Sequence, residues 1–293
     1  MDITTFMVQV FCVIDDWLSG KRIRRAGFAP TLYDSEVLTM EVVGEFLGMD
    51  ADSQIWHYFC RHWSDWFPGL RRVDRTTFVR QAANLWKVKE QLWQFLVSQI
   101  AYDPQIRLID SFPLPVCRFA RAYRNRRLHD WSGWGYDDAA KQMFFGLRAH
   151  VVVAYPGVII ACALHPADLH DRWVAEDLLP TGSGFVLGDT NYWSPEWRQH
   201  LIAQDTYLIA PRKTSVKRDR HPWPRWLIQA RRRIETVFSQ LVERFQMKRI
   251  RVHDAWHLCS RCLRKILAHT LGVYLAQLLD LDSPLQFALI LSD

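Results

Sequence analysis

Between Gly184 and Trp193 the chain spells an apolar run long enough for one buried strand, stops it on Gly188, and delivers a carboxylate at Asp189. Turn and capping residues follow, and Ser194-Pro195-Glu196 opens a helix. In open α/β sheets ligands gather at strand ends, so an acid handed to the rim of a sheet constrains both fold and chemistry. The chain has to build a sheet there, and any other carboxylate that meets Asp189 makes the rim a metal site.

Composition narrows the classes. A chain of 293 residues is long enough for two domains, or for one large core with an appendage. With 49% hydrophobic residues, extensive disorder is excluded. A formal charge of +6 and a pI of about 9.1 suit an anionic partner, nucleic acid first. The arginines cluster at 21–25, 118–127, 212–220 and 231–233, and several of the 14 tryptophans stand close to these runs.

Of six cysteines only Cys259 and Cys262 have ligand-like spacing, and no second pair completes a zinc site, so they read as helical neighbours on a core face. No basic segment precedes an apolar stretch at the N-terminus, so a signal peptide is not expected. The most apolar region, Val151 to Leu164, is broken by Pro156-Gly157 and is too short for a bilayer. The expectation is a soluble cytoplasmic protein with reduced thiols and no membrane partner.

Residues 1 to about 100 read as helical. Phe6, Val10, Val13, Ile14 and Trp17 recur at helical intervals; Asp34 caps a second helix; an aromatic third covers Gln54 to Trp63; and Asp74 opens a fourth that runs to about Ile100. Short helices with basic turns fit a helix-turn-helix-like DNA-binding region, and equally a bundle that only packs. After Asp103-Pro104 the period changes. Strands are expected at Arg107–Val116, Phe144–Tyr155, Val158–Leu164, Phe185–Asp189 and Tyr207–Ala210. Helices are expected at Arg172–Leu179, Pro195–Gln204, Trp226–Met247 and Leu258–Leu279, and an exposed loop at 118–138.

That order describes an α/β fold, an RNase H-like mixed sheet flanked by helices and preceded by an all-helical N-terminal region. The division expected is 1–103 as a helical DNA-binding region, 104–256 as the catalytic domain, and 257–293 as a C-terminal helix packing on the catalytic domain.

Three acids then matter. Asp110 sits inside an apolar strand, where an unpaired carboxylate is costly to bury. Asp189 ends the fourth strand, though spacing alone also allows it a capping role. Glu235 lies beside the apolar stripe of the long helix (Ile234, Val237, Phe238, Leu241), near the angular position of Arg231, and a simple ion pair between the two is the competing reading. Acids from two strands and a helix can hold two divalent ions roughly 4 Å apart, and oxygen ligands favour Mg²⁺, with Mn²⁺ as a substitute.

The local strings go further. Leu108-Ile109-Asp110-Ser111-Phe112-Pro113, Gly188-Asp189-Thr190-Asn191-Tyr192 and the run Arg231 to Leu241 resemble the three motif blocks of bacterial insertion-sequence DDE transposases, which are RNase H-like. The branch numbered nine-eight-two is the most similar. Lys141 to His150, Pro166 to Asp171 and Leu32 to Thr39 match further blocks in the right order, so the resemblance covers nearly the whole chain. The acid spacings, 79 (189 − 110) and 46 (235 − 189), leave no room for a large inserted domain.

The resemblance implies Asp110, Asp189 and Glu235 as the catalytic, metal-binding triad, and Arg231 as a contact to DNA phosphate. Related families place lysine seven residues after the glutamate. Here that position is Val242, and Arg244, Lys248 or Arg249 stands near to supply the charge. Lys141, Lys213, Lys217, Arg218, Arg220 and Arg249 are the other DNA contacts expected, with His170 and Asp171 near the site and a functional role open for His150 as well.

The function implied is a DNA transposase that binds terminal inverted repeats and carries out metal-dependent strand cleavage and strand transfer, as a homodimer or higher assembly on DNA. The alternatives are a catalytically silent repeat-binding protein and an RNase H-like nuclease without strand transfer. No Gly-x-Ser-x-Gly nucleophile motif is present to support a small-molecule hydrolase.

Overall fold

The computed structural model describes residues 1–24, 29–179, 182–210 and 224–291. The chain divides into two compact units, Met1–Ile100 with Gln240–Asp293, and Ala101–Ser239.

The first unit opens with five helices: α1 (Ile3–Leu18), α2 (Asp34–Phe46), α3 (Asp52–His62), α4 (Arg75–Asn84) and α5 (Trp86–Gln99). Asp2 starts α1 by accepting from the amides of Thr4 and Thr5, and the face Phe6, Val10, Ile14 and Trp17 is buried. Asp74 caps α4 in the same way through the amide of Thr77. The single helix expected from Asp74 to Ile100 is broken at Leu85, which leaves helical geometry at ψ 10°. At the break the carbonyl of Ala82 accepts, besides the Leu85 amide at 3.3 Å, from the buried Lys89 Nζ at 3.0 Å and from Ser260 Oγ at 3.0 Å.

The second unit is a six-stranded sheet made of β1 (Asp103–Pro115), β2 (Gly133–Asp137), β3 (Gln142–Tyr155), β4 (Val158–Pro166), β5 (Gly184–Leu187) and β6 (Thr206–Ile209), with α6 (Asp171–Leu178), α7 (Pro195–Ala203) and α8 (Arg225–Ser239). The order is β2-β3-β1-β5-β6, with β4 also paired to β3. β1, β2 and β4 run antiparallel to β3, whereas β1, β5 and β6 are mutually parallel. This is the mixed sheet anticipated, with one strand more: β2 lies within the stretch expected to be loop. Its alternation of Gly133, Trp134, Gly135 and Tyr136 lacks the β-branched residues that announce a strand.

Strand alternation assigns the two faces. Ile109, Val152 and Val186 form one face, sealed by Ala175 of α6, Trp197 and Leu201 of α7, and Tyr192. Leu108, Asp110, Phe112, Phe185 and Leu187 therefore point to the other. α8 lies there: Phe238 meets Phe112 at 6.4 Å between ring centroids, and Trp226 meets Phe185 at 5.7 Å.

The long helix expected through Met247 is α-helical only to Ser239. Residues Gln240–Arg244 form a π turn, closed by the amide of Phe245 on the carbonyl of Gln240. Gln240 is drawn aside by its own side chain, which bonds the carbonyl of Leu285 at 2.6 Å and His269 at 3.1 Å.

The last helix, α9 (Ala255–Leu278), packs on α2, α4 and α5 and so belongs with the first unit, where residues 257–293 had been expected on the catalytic domain. Charge explains the correction. Arg264 and Lys265 are buried, and their partners are acids of that unit: Arg264 with Glu45 and Asp52, each at 2.5 Å, and Lys265 with Glu45 at 2.8 Å. A helix that reads as amphipathic is in fact enclosed on most sides, and neither Cys259 nor Cys262 on it forms a disulfide. Among the described residues no helix is long and apolar enough to cross a membrane.

Candidate active site

β1 and β5 pair in parallel with Leu108 opposite Leu187, an offset of 79 (187 − 108). Asp110 lies two residues beyond that pair on β1 and Asp189 two residues beyond it, just past the end of β5, and the charge of Asp189 reaches Asp110.

Each is held by its own backbone. Asp110 Oδ1 accepts from the amide of Ser111 at 2.8 Å. Asp189 Oδ1 accepts from the amide of Asn191 at 2.7 Å, and its Oδ2 from the Asn191 side chain at 3.2 Å, which caps the short 3₁₀ turn Thr190–Tyr192. The capping and the rim positions foreseen for Asp189 are one and the same. Burial first, and the neighbouring Asp189 charge after it, push the Asp110 carboxyl up to about 6, against a counter-pull from Arg231.

Arg231 and Glu235 come from α8. Leu227, Ala230, Ile234 and Val237 make its buried stripe, and the two charged residues flank it on one side. Arg231 Nε donates to Glu235 Oε1 at 2.6 Å, with both side chains partly exposed. Arg231 is thus shared between the rim and Glu235. The structure brings Asp110, Asp189 and Arg231 together, and turns Glu235 toward Arg231. Among the described residues no three of His, Cys, Asp and Glu stand in a ready metal-holding group.

Asp171, the first residue of α6, is the remaining carboxylate in electrostatic range of Asp189, and burial raises its pKa. Ser111 Oγ donates to its Oδ2 at 3.4 Å, Arg148 Nη1 donates to Ser111 Oγ at 3.3 Å, and His150 Nε2 lies 3.9 Å from its Oδ1. His150 is fully buried, its ring nitrogens lack hydrogen-bond partners, and burial holds it neutral with a pKa of about 3. The Tyr192 hydroxyl is likewise buried, beside Ser111, and burial raises its pKa well above the ordinary value. Ser111, Arg148 and Tyr192 lie within the motif blocks without a role assigned to them. Their one signal was adjacency: Ser111 follows Asp110, and Tyr192 closes the turn that Asp189 caps.

The other expected residues scatter. His170 is exposed, and its Nδ1 caps α6 through the amide of Arg172 at 3.2 Å. Lys141 is exposed in the turn between β2 and β3, with a left-handed φ of 48°. Arg249 is exposed in a 3₁₀ turn of the first unit, and Val242 and Arg244 fall in the π turn. Lys213, Lys217, Arg218 and Arg220 lie outside the described residues. A cleft lined by Arg107, Glu176, His200 and Thr206 opens by the beginnings of β1 and β6, at the opposite end of the strands from the acids.

The donor set fits a hard divalent cation. It is all carboxylate oxygen, and it includes two like charges whose repulsion already shifts Asp110.

Comparison with known proteins adds one strong match. The family described as "Transposase DDE domain" matches residues 101–255, more than half of the chain. No curated protein matches. Among solved structures the chain is similar to piggyBac transposase in a synaptic complex with hairpin DNA, seen by cryo-EM, at 10% identity and a TM-score of 0.46 over 98% of this chain and 78% of that one.

Proposed function

The chain belongs to the transposase DDE domain family, and from that premise we propose that it is the transposase of a bacterial insertion sequence of the nine-eight-two branch, acting on DNA with Asp110, Asp189 and Glu235 as its acids. The observation that carries the reading is the adjacency of Asp110 and Asp189 at one strand end. Family membership supports a metal-dependent nuclease; the acids give it an address.

Asp110 and Asp189, with Glu235 released from Arg231, would hold Mg²⁺ or Mn²⁺. Two such ions supply activation of a water or 3′-hydroxyl and stabilisation of the leaving oxygen in an in-line phosphodiester displacement. The chain's own residues do the rest. The amide of Ser111 and the Asn191 turn fix the two aspartates. Arg231, freed from Glu235, meets a DNA phosphate, and Lys141, Lys213, Lys217, Arg218, Arg220 and Arg249 contribute phosphate contacts. The α1–α5 region binds the terminal inverted repeats. Two ends have to be processed, which calls for a homodimer or higher assembly on DNA.

An end-joining assay tests this. A duplex carrying the element's terminal repeat with a free 3′-hydroxyl is incubated with supercoiled plasmid and Mg²⁺. Joined product is expected. Nicking without joining would point to a nuclease, and binding with neither to a silent repeat-binding protein.

A further inference from the structure

The connection from β1 to β2 carries five arginines, Arg118, Arg121, Arg124, Arg126 and Arg127, against one acid, Asp130. All five are exposed, and none forms an ion pair among the described residues. In their midst the aromatic rings do not fold away. Phe119 is 52% exposed and Tyr123 88%. Both rest on Trp134 of β2, at 5.7 and 5.2 Å between centroids, and Trp134 rests on Phe145 of β3 at 5.1 Å. The result is a small aromatic shelf, anchored at its base by Phe145 and open above, in a segment that carries five exposed arginines.

Register places the shelf relative to the acids. Trp134 pairs with Phe145, and Asp110 pairs with Val151. Phe145 and Val151 are both odd-numbered positions of β3, so the shelf and Asp110 share one face of the sheet. They are six residues apart along β3 (151 − 145), about 20 Å at the rise of a strand. At 3.4 Å per nucleotide of duplex that is roughly six base steps from the scissile position. Exposed rings on a cationic surface are a poor match for paired bases, whose faces are already stacked. They match unpaired ones, since every base offers a π-face and aromatic stacking tolerates any sequence.

We propose that Phe119, Tyr123 and Trp134, with the arginines around them, form a binding shelf for an unpaired DNA strand, beside and separate from the acids. The proposal rests on the reading of the chain as a DNA-processing enzyme. The shelf takes single-stranded DNA flanking the processed end: its rings stack on two or three bases while the arginines hold the intervening phosphates.

Anisotropy titration of the full chain with a fluorescein-labelled oligothymidine of about fifteen nucleotides, and with a duplex of equal length, tests it. The variants are F119A/Y123A and Y123W, both at exposed positions, with melting temperature as a check on folding. The expected result is about a tenfold loss of single-strand affinity in F119A/Y123A, duplex affinity within about twofold of wild type, and near-normal binding by Y123W. Unchanged single-strand affinity would overturn the proposal, as would an equal loss for both ligands, which marks a general cationic surface. Anionic vesicles that bind in a Tyr123-dependent manner in place of oligonucleotide would overturn it too. Metal-dependent cleavage measured in parallel separates the two readings. Cleavage with an unaltered single-strand preference removes the shelf alone. A Tyr123-dependent single-strand preference without cleavage keeps the shelf and removes the enzyme.

Discussion

Asp110 stands beside Asp189 because the parallel pairing of Leu108 with Leu187 fixes an offset that both acids inherit two residues later. Burial, and after it the neighbouring Asp189 charge, raises the Asp110 carboxyl to about 6. Arg231 lies within electrostatic reach of that carboxyl and pulls its pKa the other way.

The first prediction is a pH slope. Because the folded pKa of Asp110 lies above its ordinary 3.8, the folded chain keeps this proton longer than the unfolded chain. Its contribution is most favourable below pH 4 and declines as pH rises from about 4 to 6, reaching a penalty of about 3 kcal/mol near neutrality. Asp110→Asn should abolish that slope and be more stable than wild type at pH 7 in the presence of chelator, by urea unfolding. Mg²⁺ should raise the melting temperature of wild type and leave that of Asp110→Asn in place. Parallel slopes for the two proteins would refute the assignment.

A second concerns Glu235. Its partner Arg231 is also partly exposed, and such pairs add little to stability. Glu235→Gln should therefore shift the melting temperature by about a degree at most, while cleavage falls by about a hundredfold or more. A variant that unfolds easily, or that cleaves normally, would show Glu235 to be a structural ion-pair residue.

In the helical unit, Glu45 faces two buried cations, Arg264 and Lys265. Glu45→Ala removes the carboxylate paired with Lys265 and one of those paired with Arg264, which keeps Asp52, and should cost about 3–5 kcal/mol by chemical denaturation. A loss under about 1 kcal/mol would mean that water or Asp52 takes over the role.

Gly184 begins β5 with φ +113°, and a Cβ there would sit 2.3 Å from the carbonyl oxygen of Gln105 on β1. Gly184→Ala should destabilise the chain by about 2 kcal/mol or more and weaken the β1–β5 pairing that aligns the acids. Thermal melts and cleavage rates should fall together. Wild-type behaviour in both would contradict the register argument.

Much of this was legible from residues alone. Asp110 and Asp189 each end or interrupt an apolar run, a pattern that only a sheet explains, and their separation of 79 turned out to be the strand register itself. What escaped did so for physical reasons. Glu41, Glu45, Lys89, Arg264 and Lys265 look solvent-exposed on helices, because charge in a sequence does not reveal a buried counter-charge far away in the chain. β2 hid among glycines and tryptophans. The break at Leu85 and the π turn at Gln240 carry no proline or glycine; tertiary hydrogen bonds to Ala82 and from Gln240 stabilise them. The Arg231–Glu235 pair was foreseen as the competing reading for Glu235, and it is the contact the structure contains.

The most direct measurement is cleavage of a labelled duplex bearing the element's own terminal repeat, by wild type and Asp189→Asn, with Mg²⁺, with Mn²⁺ and with neither. Metal-dependent cuts at the repeat boundary that disappear in Asp189→Asn are predicted. Cuts that persist in the variant, or a wild type that binds the repeat and leaves it intact in both metals, would contradict the account.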